Sequence, residues 1–182
     1  MPNLGIIASS ISGNLWAPGK DYDSIATVTL GTSTASITFS SIPQTYRHLQ
    51  IRMLSTSGNT PSSGSTLRYN GDTTVGNYYA HNIQGDGATA AAYATASNSY
   101  FPAVLGNAAT TGPAGGILDI LDYTNTNKYK TSRYISSYDQ NGSGYVVFGS
   151  NLWSSTAAIT SIVLTGNANF AQYTQAALYG VK

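Results

Sequence analysis

This chain contains no cysteine and very little charge: 8% of its residues are charged, where a typical soluble domain carries about 25%. Without cysteine there is no disulfide, thiolate nucleophile or cysteine-type zinc site. The net charge of +1 gives no electrostatic footing for nucleic acid or an anionic membrane. No apolar run approaches the ~20 residues that span a bilayer. The apolar start Leu4–Ala8 lacks a basic flank and is too short for a signal sequence, so it reads as part of the mature protein.

Chemistry-bearing motifs are equally scarce. The two histidines, His48 and His81, fall in strand-like segments, and no nucleophile elbow or zinc-protease motif occurs. Asp119 and Asp122 are three residues apart, which places them on opposite faces of a strand and unsuits them to act as paired acid and base. Asp119 shares a face with Ile117 and Leu121 and calls for a hydrogen-bond partner there. Asp72 and Asp86 lie in glycine turns without the carboxylate cluster that calcium requires. The glycines around Asp86 and Ser143 belong to turns, not phosphate loops, because no helix follows them. Trp16, Trp153 and the tyrosines offer a platform for stacking sugars, but core and subunit contacts account for them as well. No catalytic, cofactor or metal site is expected, and the chain reads as non-enzymatic.

What the chain does have is a hydrophobic content of 41%, fourteen tyrosines against four phenylalanines, and many short strand signals. The clearest is Gly116–Tyr138. Two runs rich in β-branched, aliphatic and aromatic residues, Ile117–Tyr123 and Tyr129–Tyr138, flank the polar segment Thr124–Lys128, which predicts a hairpin. Leu118 and Ile120 share one face of the first arm while Ile117 and Leu121 take the other, so a central strand covered on both faces is expected. Asp139–Gly144 is a strong turn signal, and Tyr145–Phe148 should pair back across it as a third strand.

Earlier in the chain, Ser24–Leu30 and Ala35–Ser40 alternate on either side of a short Gly-Thr-Ser-Thr turn and predict a second hairpin. Tyr46–Ser55 places Leu49, Ile51 and Met53 inward and His48, Gln50 and Arg52 outward. Thr66–Tyr69, Tyr78–Ile83, Tyr100–Leu105, Thr160–Thr165 and Ala176–Val181 read as further strands. Thr56–Thr66, Ala88–Ser99 and Asn107–Gly116 read as loops. Roughly eight to ten short strands with turns every ~8–12 residues indicate an all-β fold, an antiparallel two-sheet β-sandwich of jelly-roll type. Ser24–Lys182 would form this single domain. Met1–Asp23 would form an extended N-terminal arm whose Leu4, Ile6, Ile7, Leu15 and Trp16 need burial somewhere.

Several stretches carry a resemblance. They are Gly5–Gly13 (GIIASSISG), Tyr22–Val28 (YDSIATV), Ile42–Leu49, Ile117–Thr131 (ILDILDYTNTNKYKT), Asn141–Gly144, Leu152-Trp153, Thr156–Leu164 and the terminal Ala177–Lys182. Together they cover nearly the whole chain, which resembles small structural proteins of tailed bacteriophages. The resemblance implies a jelly-roll virion component that decorates capsids or forms spikes and fibre tips, commonly as a homotrimer. A capsid decoration (cement) protein would lie on the exterior of the virion and bind the major capsid protein, with the five arm residues above as contacts. The alternative is a tail or head-fibre tip that recognises a host surface glycan through the three loops. Neither role requires nucleic acid, membrane or cofactor.

Overall fold

The structure is a computed structural model that describes residues 21–55, 63–108, 113–139 and 142–182. The arm residues Leu4, Ile6, Ile7, Leu15 and Trp16 lie outside that range. So do most of the Thr56–Thr66 segment and the middle of Asn107–Gly116.

The described residues form two antiparallel sheets built from strands β1 (Tyr22–Thr29), β2 (Thr34–Phe39), β3 (His48–Ser55), β4 (Ser63–Tyr69), β5 (Tyr78–Gly85), β6 (Ala90–Asn98), β7 (Phe101–Ala108), β8 (Ala114–Leu121), β9 (Lys130–Asp139), β10 (Gly144–Trp153), β11 (Ile162–Phe170) and β12 (Gln175–Val181). The larger sheet has eight strands in the order β1-β12-β3-β8-β9-β10-β5-β6; the smaller has four, β2-β11-β4-β7. From β1 to β5 the chain changes sheet at each connection, and it does so again between β6 and β7, β7 and β8, β10 and β11, and β11 and β12. Four strands of the large sheet, β1-β12-β3-β8, thus match the whole small sheet one for one. This is the winding of a jelly roll, as the strand count and turn spacing led us to expect. Hairpins β5-β6 and β9-β10 are additions that widen the large sheet beyond β8.

The central hairpin forms as expected: β8 pairs with β9, Ile117 opposite Ile135 and Leu118 opposite Tyr134. β10 pairs back on β9, completing the three-stranded meander. The inward set in β3 is also correct, with Leu49 and Ile51 at 0% exposure and Met53 at 4%. These join Leu118, Ile120, Leu164 and Leu178 in one core between the sheets.

Three expectations fail, each for a physical reason. The second hairpin does not exist. β1 pairs with β12 and β2 with β11, in opposite sheets. Alternation in each strand was real, with Ile37 and Phe39 buried. Alternation shows which side faces the core, however, and not which neighbour completes the ladder. Second, Ala88–Ser99 is not a surface loop; most of it is strand β6, paired to β5. An edge strand with scarcely any buried side chain needs no apolar stripe, since backbone pairing alone holds it. The Thr56–Thr66 and Asn107–Gly116 readings likewise give way to strand at their ends, in β4, β7 and β8. Third, β8 is central but is covered on one face only; Ile117 on the other is exposed.

An aromatic cluster fixes the added hairpins to the small sheet. Tyr69 of β4 and Phe101 of β7 meet Tyr78 of β5 and Trp153 of β10 across the sandwich. The centroids lie 5.5 Å apart for Tyr69–Phe101, 5.5 Å for Tyr69–Trp153 and 4.8 Å for Tyr78–Phe101, all edge-to-face. This geometry is favourable for ring quadrupoles. In the same core, the Tyr134 ring lies over Gly149, where an added Cβ would collide with a ring carbon. Gly149→Val should therefore cost about 1–3 kcal/mol through overpacking. Thermal unfolding would show it as a lowered Tm; an unchanged Tm would mean the ring moves aside freely.

Candidate interaction face

The outward side of the eight-stranded sheet is where the described chain departs most from an ordinary surface. Cross-strand register brings one residue from each strand into a single row across the sheet. Thr27 stands opposite Ala177, Ala177 opposite Arg52, and Arg52 opposite Ile117. The row continues through Ile135 and Phe148 to Ile83 and ends at Ala92 on the edge strand. Ile117, Ile135, Phe148 and Ile83 are 39%, 49%, 51% and 60% exposed, with Leu54 and Val146 exposed beside them. Gly115, with no side chain on this face, leaves a shallow groove of about 600 Å3 between Leu54, Ile117 and Ile135. Scattered apolar side chains are normal on a protein surface, but a contiguous row of them marks contact with something else.

A polar row runs alongside. Arg52 lies over the rings of Tyr22 and Tyr179, 5.4 and 5.0 Å from their centroids, and donates to Gln50 Oε1 at 2.7 Å. Gln50 Nε2 in turn donates to Asp119 Oδ1 at 2.7 Å. This is the hydrogen-bond partner that Asp119 required, and it explains why Gln50, on the outward side, is only 7% exposed. Arg133 stands opposite Asp119 in the ladder, and Ser150 and His81 continue the row. An apolar stripe with a polar border is the anatomy of a protein interface.

The remaining candidates of the sequence reading take structural roles. His48 Nδ1 accepts the backbone N–H of Asp122 at 2.9 Å, and the Asp122 carboxylate is paired with Lys128. The Lys128 contact is the main reason the Asp122 carboxyl lies below its ordinary range. Asp86 accepts the N–H groups of Thr89 and Ala88 at 2.6 and 2.9 Å, closing its turn. Trp153 is 2% exposed and belongs to the core, so it offers no face to a sugar. No group of three or more His, Cys, Asp or Glu residues that could hold a metal ion occurs among the described residues.

The structural roles of two side chains escaped sequence reasoning. Lys130 is 1% exposed, and its Nζ donates to the carbonyls of Asn125, Lys128 and Thr156 at 2.5, 3.0 and 3.0 Å. Burial lowers its pKa, with the Lys128 charge adding to the effect. The one available signal was a lysine set in an inward register position of β9, next to Ser132 and Tyr134. Asp72 accepts Trp153 Nε1 at 2.7 Å, Asn77 Nδ2 at 2.8 Å and the Thr74 N–H at 2.8 Å. Burial pushes the Asp72 carboxyl up, but these hydrogen bonds outweigh it and bring the pKa to about 2.

No protein-family model matches the chain, and no curated protein does. Among solved structures, the exo-inulinase from Aspergillus awamori is similar at 13% identity and a TM-score of 0.44, over 91% of this chain. This chain spans 31% of the length of that one.

Two predictions follow from these side chains. Lys130→Met leaves three loop carbonyls without their donor and should destabilise the fold by about 1–3 kcal/mol, read by urea unfolding at neutral pH. A midpoint equal to wild type would remove the lysine from the list of structural groups. Asp72→Asn loses the charge and one of the two acceptor oxygens, setting its amide N–H2 against a donor. Because the folded pKa lies below the ordinary carboxylate value, the charge contributes stability above about pH 4 that disappears as pH falls towards 2. The variant should be less stable by about 1–3 kcal/mol at neutral pH, and the deficit should shrink as pH falls through about 2. A constant difference across that range would contradict the assignment.

Proposed function

We propose that this chain is a non-enzymatic structural protein of a phage virion, a decoration (cement) protein that binds the outer shell of major capsid subunits. The observation that carries the reading is the uncovered apolar row on the large sheet: a surface made for contact, on a chain in which charge is scarce. Cementing requires many weak contacts repeated over a shell. Apolar area contributes about 25 cal/mol per Å2 to each of them, and multivalency multiplies the result. The sequence resemblance to small tailed-phage structural proteins supports the same role. Leu4, Ile6, Ile7, Leu15 and Trp16 of the arm are the proposed shell contacts.

The glycan-binding alternative is weakened by the fold. Of the three loops it relied on, Ala88–Ser99 is mostly the paired strand β6, and the proposed stacking residue Trp153 is in the core.

The test is co-sedimentation of the full chain with purified shells, compared with a chain lacking Met1–Lys20 and with full-length Trp16→Ala. Loss of the arm should abolish binding, and loss of the indole should weaken it about tenfold or more. Truncated protein that binds shells with unchanged affinity would rule out the arm as the contact.

A further inference from the structure

We infer that the apolar row of the large sheet is covered by the same row of a second copy of this chain, joining two sandwiches face to face. The inference draws on the same uncovered row as the shell-binding reading but assigns that row to a second copy of this chain and leaves shell contact to the arm, so the two readings are tested separately.

Area is the first argument. Eight strands about 4.8 Å apart and about eight residues long, at ~3.3 Å per residue, make a face of roughly 900 Å2. A stable protein–protein interface needs about 800 Å2 from each partner. The face is large enough, and at its centre it holds Ile117, Ile135 and Phe148 in direct cross-strand register.

Chemical fit is the second. The charges on this face are two carboxylates, Asp119 and Asp139, and two guanidinium groups, Arg52 and Arg133, which stand on either side of Asp119 in the ladder or through Gln50. Such a field selects neither a strongly acidic nor a strongly basic partner. The occupant must therefore be apolar and near neutral. With a net charge of +1, two copies of this chain repel one another little. Apart from the row and its immediate neighbours, the exposed large apolar side chains stand singly: Val75, Tyr129 and Tyr173 outside the strands, and Tyr93 on the edge strand β6. Among the described residues, only the row itself offers an apolar surface of matching extent. A surface that pairs with its own copy closes around a two-fold axis and joins chains in pairs.

The test is the mass of the full chain in solution, without shells, by sedimentation equilibrium. The expected mass is twice 19.0 kDa. Ile135→Arg and Phe148→Arg, made separately, should each raise the dissociation constant at least tenfold and bring the protein towards single chains. Far-UV circular dichroism should stay unchanged, because both side chains point away from the core, while Tm should fall only by the stability that pairing contributes. Ile135→Ser and Phe148→Ser serve if an arginine variant fails to fold. Val75→Arg, off the row, should leave the pair intact. A wild type of one chain would hand the row to another occupant, such as the arm or the shell, and would overturn the inference. A wild type of three chains would overturn it too, as would a pair that survives both substitutions. Since no shells are present, any of these results leaves the shell-binding reading to be judged on its own experiment.

Discussion

The structure depends on one constraint: the chain must alternate between two sheets to close a single apolar slab. β1, β3, β8 and β12 supply one side and β2, β4, β7 and β11 the other. Nearly every consecutive pair in this set is therefore split across the core, and each ladder is completed by a strand distant in sequence. β1 waits for β12, and β2 for β11. Neither sheet can be finished before the other, which makes the winding cooperative and its contacts long in range. The side chains that stabilise this slab are ordinary aliphatics, with the Tyr69–Tyr78–Phe101–Trp153 cluster carrying it outward under the added hairpins.

Those hairpins produce the unusual surface. A jelly roll made only of the eight matched strands would have sheets of equal width. Adding β5, β6, β9 and β10 to one sheet doubles it and extends the outward ladder across eight strands. Ile135, Phe148 and Ile83, the greater part of the apolar row, come from the added strands. The inward sides of the same strands hold Tyr134, Trp153 and Tyr78, all buried. One insertion thus serves two purposes, enlarging the core and building a contact face. Polar groups near the row are tied to one another through the Arg52–Gln50–Asp119 chain, which lowers the cost of covering them.

Much of the candidate face was present in the sequence without being legible there. The alternation of Ile117 with Leu118 and of Ile135 with Tyr134 showed that both sides of the central hairpin carry apolar residues. The ordinary physical inference, a strand covered on both faces, assumed that the covering layer belongs to the same chain. No strand among the described residues covers that side. Lys130 was illegible for a different reason: a charged residue in an inward position argues against burial, until the carbonyls of Asn125, Lys128 and Thr156 are seen converging on its ammonium group. Its partners come from a loop and from a segment after β10, and local spacing cannot bring them together.

By itself, the amino-acid sequence determined the class of fold, the central meander and the inward set of β3. Alternation at a period of two and turn chemistry are local properties, written in neighbouring residues. It also excluded thiol and disulfide chemistry outright. Tertiary structure alone decided that β1 and β2 part company, that an alanine-rich stretch without an apolar stripe becomes an edge strand, and that four apolar side chains from four strands line up into one exposed row. Each of these depends on which distant strand completes a ladder. That choice is made by the packing of the whole slab and leaves no mark on the residues beside it.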